Sequence, residues 1–268
     1  MVGIITNKME ALDIRGVQLC CLEIAKEFVK ICERHNIPYY MLGGTMLGAI
    51  RHKGFIPWDD DMDFGVPLEH FDEVIDLLKK ELSSPYRCST YKDSKCVFFS
   101  FFKIEDTSTL LDDKQLPCRL DDKIGINIDV FPLVHCNKEI EKFQKVWKLS
   151  RRSGLIYANS RTHKLINFGK SILRHIWPIT KKQYNDRIFH IFRHLEPGPY
   201  LGNICGRWRI KEVVPLEWYG VGTKYQFEDT EFAGIMESDK YLKQLYGNYM
   251  QLPPENQRFV HSANAYRK

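Results

Sequence analysis

The hydrophobic positions change their period several times along the chain, and each change predicts an element. From about Glu10 to His35, Leu12, Leu19, Leu22, Ala25, Phe28, Val29 and Cys32 recur at helical spacing, which predicts an amphipathic helix. Asn36 and Pro38 mark its end. Tyr39–Leu42 is a short apolar run read as a strand, Gly43-Gly44-Thr45 as a tight turn, and Met46–Arg51 as a short helix. Asp61–Val66 predicts a second strand, after which Pro67 opens a helix to about Leu82. Further strands are expected over Cys96–Ile104 and Ile124–Phe131. Lys138–Leu195 reads as helical. Turn-rich segments surround Gly202, Gly206 and Pro215, and a last helix over Ser238–Tyr246 stops at Gly247. A mixed α+β half is followed by a mostly helical half, with no internal repeat.

The polar positions of two of these strands carry the candidate chemistry. In a strand, residues two apart share a face. Met62 and Phe64 then point to the core while Asp61 and Asp63 share the other side; Ile126, Ile128 and Val130 point one way while Asn127 and Asp129 point the other. Like charges side by side repel, and an unpaired carboxylate in an apolar strand is costly, unless a hard divalent cation joins them. Asp61, Asp63 and Asp129 are therefore candidate ligands for Mg²⁺ or Mn²⁺ held with nucleotide phosphates. A solvated acidic turn is the bland alternative. A calcium loop of the EF-hand type is disfavoured, because its glycine and closing Glu are missing.

Upstream, Gly43 and Gly44 would let backbone N–H groups approach a phosphate at the start of a helix, with the Thr45 hydroxyl adding a bond. Arg51, His52 and Lys53 lie between the glycines and the aspartates and could neutralise a diphosphate.

Composition adds an asymmetry. The chain of 268 residues has a net charge of +5, yet Lys138–Arg187 holds thirteen Lys/Arg against three Asp/Glu, so the remainder is net negative. Such a stretch fits a polyanionic partner, and its mixture of basic and large apolar residues from Phe143 to Trp177 fits either an anionic inner membrane surface or packing on a catalytic domain. No nucleic-acid module accompanies it. No apolar run reaches membrane-spanning length, and the N-terminal run lacks a signal-peptide core, so a cytoplasmic location is expected, peripheral to the membrane at most. The eight cysteines (20, 21, 32, 88, 96, 118, 136 and 205) read as reduced core residues. The Cys32–His35 spacing is not followed by a second zinc-ligand pair.

The run MLGGTMLGAIRHKGFIPWDDDMDFGVP (Met41–Pro67) resembles the signature of the LicD family of phosphotransferases, whose animal relatives are the fukutin-type proteins. GINIDVFPL (Gly125–Leu133) and YLKQLYGNYMQLPPENQRFVH (Tyr241–His261) match it further. The resemblance implies a nucleotidyltransferase-like mixed sheet with flanking helices. It places Gly43, Gly44 and Thr45 on a phosphate-binding turn, Asp61 and Asp63 on a metal-binding pair, and Asp129 on the third carboxylate. It also brings Arg258 and His261 back to phosphate. The activity implied is transfer of phosphocholine, or a similar phospho-alcohol, from CDP-choline or a related CDP-alcohol to a sugar hydroxyl of a teichoic acid, lipopolysaccharide or related glycan precursor, releasing CMP. Alternatives are a nucleotidyltransferase that releases pyrophosphate and a non-catalytic binding module. The expected organisation is a catalytic core over 1–136, a basic helical region over 137–200 that docks acceptor or membrane, and a segment over 201–268 that packs back on the active site.

Overall fold

The computed structural model describes residues 9–112, 124–158, 164–176, 178–258 and 264–268. Its first strand, β1 (Glu10–Leu12), occupies part of the expected helix. Asp13 then accepts the Gly16 N–H at 2.7 Å and caps α1 (Ile14–Arg34). The helix therefore starts four residues later than the apolar spacing indicates. It buries Val17, Ile24, Phe28 and Ile31 together with Cys20, Cys21 and Cys32. Cys32 is thus a core residue, and His35 Nε2 meets Glu81 at 2.7 Å, so this pair is not arranged for zinc. Six cysteines are free thiols among the described residues. Cys96 departs from expectation in being disulfide-bonded, which spacing alone does not reveal.

Next come β2 (Tyr40–Met41), α2 (Gly43–His52), β3 (Asp63–Pro67) and α3 (Leu68–Glu81). The glycine pair is the first turn of α2 and not a turn ahead of a helix at Met46. The Met46 N–H already donates to the Leu42 carbonyl at 3.1 Å. β4 (Tyr86–Ser89), β5 (Phe102–Asp106), β6 (Thr109–Asp112) and β7 (Ile126–Cys136) follow. The strand expected from Cys96 begins only at Phe102. The carbonyls of Val97 and Phe98 instead accept bonds from Lys181, Ser153 and Asn185, which ties that stretch to the helical region.

The helical expectation holds for α4 (Ile140–Tyr157), α5 (Lys164–Ile176) and α6 (Lys181–Arg193). Beyond them the chain returns to strands: β8 (Tyr200–Gly202), β9 (Val213–Pro215), β10 (Thr223–Phe227), β11 (Thr230–Gly234) and β12 (Asn264–Arg267), with α7 (Leu216–Tyr219) and α8 (Ser238–Tyr246) between them.

The main sheet runs β10-β11-β2-β3-β7-β5-β4, with β8 on the far end of β7 and β9 on β8. β3/β7 and β11/β2 are parallel and the other pairs antiparallel, which makes an α+β mixed sheet. A smaller sheet, β1-β12-β6, joins the two ends of the chain. Under the central strands, Phe64 packs against Phe28 at 5.4 Å and Phe232 at 5.6 Å, uniting α1, β3 and β11. Phe64 is fully buried, so truncating it to Ala should cost roughly 3–5 kcal/mol. Among the described residues no helix is long and apolar enough to cross a membrane.

Candidate active site

β3 and β7 run side by side, and their register sets Asp63 opposite Asp129. Adjacent strands lie about 4.8 Å apart, so the two carboxylates leave the sheet as neighbours. Met62, Phe64, Ile128 and Val130 are buried on the core side, as the alternation requires. Asp61 lies just before β3 and not within it. It still acts on Asp63: burial holds the Asp63 carboxyl well above its ordinary range, and the charges of Asp61, Asp129 and Asp59 add to the effect.

The aspartates are not drawn into a ready-made metal site. Among the described residues no three His, Cys, Asp or Glu side chains form a ligand cluster. Carboxylates set this close repel one another. Lys103, on β5 opposite Asp129, supplies a positive charge beside them. Its ammonium pairs with the Asp129 carboxylate and donates to Asn127 Oδ1 at 2.8 Å. The donor set is still hard oxygen, and the mutual repulsion at Asp63 is what a divalent ion would relieve, so the residues fit Mg²⁺ or Mn²⁺ if Lys103 yields Asp129.

The start of α2 meets this carboxylate group. Thr45 is buried, and its Oγ1 accepts the Asp63 N–H at 2.8 Å, which fixes the glycine turn to the aspartate strand. Gly43 has a φ of +48°, a conformation that favours glycine, and its N–H donates to the Tyr241 hydroxyl at 3.1 Å. A methyl group on Gly44 would stand 2.9 Å from Asp59 Oδ2, so an acidic side chain lies over the turn that a phosphate would approach.

Arg51 and His52 lie in the last turn of α2, about 12 Å along the helix from Gly43. Arg51 donates to the Tyr249 carbonyl at 2.7 Å. His52 is pushed below its ordinary pKa by burial and then by Arg51, so it adds little positive charge at neutral pH. Its ring packs edge-on to Trp58 at 6.4 Å, and the Arg258 guanidinium lies 4.7 Å over the same indole. Arg51, Trp58, Tyr246 and Tyr249 line a cavity of about 460 Å³. Tyr246 links it to the aspartates: a Cβ on Gly43 would be 3.7 Å from the Tyr246 hydroxyl and also from Asp63 Oδ2. Arg258 therefore returns beside the site. Lys53 does not join it; it is the exposed, left-handed C-cap of α2. His261 lies outside the described residues.

Four residues near the site escaped sequence reasoning. Lys103 was legible in principle, since it occupies the polar side of an apolar strand. Tyr241 and Tyr246 lie on α8, far away in the chain. Glu212 ends a short turn, Arg209–Glu212, is 7% exposed, and accepts the Trp208 N–H at 2.7 Å. Burial pushes its carboxyl up to about 7 against the pull of Trp208 and Asn203, and its charge is felt at Asp63 and Tyr241.

Known proteins are similar to this chain in sequence. The family described as LicD/FKTN/FKRP, nucleotidyltransferase domain, matches residues 36–168. The lipopolysaccharide cholinephosphotransferase LicD of Haemophilus influenzae is 31% identical over 263 residues, covering 94% of this chain and 97% of the relative. The human ribitol 5-phosphate transferase FKRP is 34% identical over 90 residues, covering 32% of this chain and 18% of the relative.

Proposed function

The chain belongs to the LicD family of phosphotransferases, and from that premise we propose that it transfers phosphocholine, or a similar phospho-alcohol, from a CDP-linked donor to a sugar hydroxyl of a cell-surface glycan precursor. The observation that carries this reading is the pairing of Asp63 with Asp129 beside the glycine start of α2. The names of the relatives supply two donor chemistries, choline phosphate and ribitol phosphate, and one acceptor class, lipopolysaccharide. Teichoic acid is a second acceptor of similar chemistry.

In this reading Asp61, Asp63 and Asp129 would hold Mg²⁺ or Mn²⁺, which would supply charge neutralisation for the phosphate oxygens. Arg51 and Trp58 line the cavity that takes the donor, and Arg258, over the Trp58 indole, adds positive charge beside it. Asp129 accepts a hydrogen bond from the acceptor hydroxyl and takes its proton. The acceptor oxygen forms a bond to the phosphorus distal to the nucleoside, the bond to the bridging oxygen breaks, and CMP leaves. The core over 1–136 carries the chemistry, 137–200 faces the acceptor, and 201–268 closes the site.

The test is product analysis with CDP-choline, CDP-ribitol and CTP in separate reactions with a lipopolysaccharide acceptor. CMP release that depends on acceptor supports the proposal. Pyrophosphate release from CTP, with the acceptor nucleotidylated, would replace it with nucleotidyl transfer.

A further inference from the structure

Helix α5 turns its apolar stripe outward. Leu165, Phe168, Ile172 and Ile176 recur at helical spacing and form one stripe, yet all four are exposed, from 52% at Ile172 to 87% at Leu165. A surface helix ordinarily turns such a stripe to the core. Here Asn167 and Lys170, away from the stripe, are half-buried, and Lys170 donates to the Ala158 carbonyl at 2.8 Å. The neighbouring α4 is oriented in the usual way, with Phe143, Val146 and Ile156 buried. The two helices therefore divide the basic region: α4 packs on the protein, and α5 presents an apolar face to its surroundings.

Charge identifies the occupant. Lys145, Lys148 and Arg152 of α4 and Arg187 of α6 are exposed, and among the described residues none is ion-paired. With Leu149, Ile191, His190 and Asp186, whose carboxylate is paired with Lys182, they line an open groove of about 580 Å³ in which the unpaired charges are cationic. A second copy docked face to face would bring two strongly basic surfaces together. An anionic lipid surface would neutralise them while taking up the stripe.

We propose that α5 lies in the interface of an anionic membrane, with Leu165, Phe168, Ile172 and Ile176 among the acyl chains and the cations of α4 and α6 against lipid phosphates. Vesicle binding is read without substrate, so its outcome is separate from the transferase reading.

The experiment is flotation of the full chain with vesicles of phosphatidylcholine alone, or of equal parts phosphatidylglycerol and phosphatidylcholine, in low and high salt. The chain should float with the anionic vesicles and less so in high salt. Phe168→Ser with Ile172→Ser should weaken partitioning about tenfold or more, because each large apolar side chain contributes to insertion. Lys148→Glu with Arg152→Glu should weaken it too. Both variants alter exposed positions, so their melting temperatures should match the parent. Failure of the parent chain to float in low salt would overturn the proposal, as would undiminished flotation of Phe168→Ser with Ile172→Ser. A parent dimer that this variant converts to a monomer, without lipid binding, would assign the face to a second copy.

Discussion

Asp63 and Asp129 are register partners on adjacent parallel strands, and among the described residues Lys103 is ion-paired with Asp129 and not with Asp63. Asp63 is left with burial and like charges, which raise its pKa. A carboxyl raised in the folded state favours folding at low pH, and the penalty for ionising it grows as pH rises above the ordinary value of about 3.9. In chelator, Asp63→Asn should therefore raise the melting temperature, with a gain that widens from about pH 4 toward neutrality. Turnover should fall by at least about a hundredfold. Parallel melting curves and rate measurements check both halves. A destabilised variant, or one with near-normal turnover, would contradict the assignment.

Lys103 is expected to compete with a divalent ion for Asp129. Lys103→Met should cost the metal-free protein roughly 1.5–3 kcal/mol, the range for a hydrogen bond to a charged group. It should also tighten Mn²⁺ binding by about tenfold, equivalent to ~1.4 kcal/mol. Thermal melting across a Mn²⁺ titration reads both effects. Equal midpoints for parent and variant would show that the ammonium does not guard the site.

The glycine turn resists a side chain at both positions, by backbone conformation at Gly43 and by contact at Gly44. Gly43→Ala would place a Cβ at a φ of +48°, a strain of roughly 1 kcal/mol. Gly44→Ala would press on Asp59 at 2.9 Å. Both should retain the fold and lose donor affinity more than stability, so KM for the CDP-linked donor should rise while the melting temperature changes by only a few degrees. An unchanged KM in both variants would remove the turn from the binding site.

Glu212 predicts a pH dependence of stability. Its folded value of about 7 exceeds the ordinary 4.5, so folding holds an extra proton between those values and stability falls as pH rises through that window. Glu212→Gln keeps the acceptor for Trp208 and removes the charge. It should be stabilising above pH 7, by up to ~3 kcal/mol, and nearly neutral at pH 5. Urea unfolding at the two pH values measures the difference; an equal effect at both would show that Glu212 does not titrate in that range.

Much of the site was legible in sequence because it rests on local periodicity. The alternation around Asp63 and Asp129 directs both carboxylates away from the core, and α8 begins and ends where Ser238 and Gly247 indicate. Long-range pairing left less trace. Nothing local in Thr223–Gly234 shows that β10 and β11 extend the sheet beside β2, where Gly234 aligns with Met41. The start of α1 was misplaced because Glu10–Leu12 finds its partner at the other end of the chain. Lys53 is adjacent to Arg51 and His52 in sequence but turns away, since the helix ends on it in a left-handed conformation. Glu212 becomes visible only when folding brings its charge to the aspartates.

The most direct measurement is isothermal titration of the purified protein with CDP-choline, with Mg²⁺ and again in chelator, repeated for Asp63→Asn. Binding that requires both Mg²⁺ and Asp63, and that exceeds binding of CTP, is the predicted result. Binding of CDP-choline that is equally tight in chelator, or that survives Asp63→Asn unchanged, would contradict a donor site built on the Asp63–Asp129 pair.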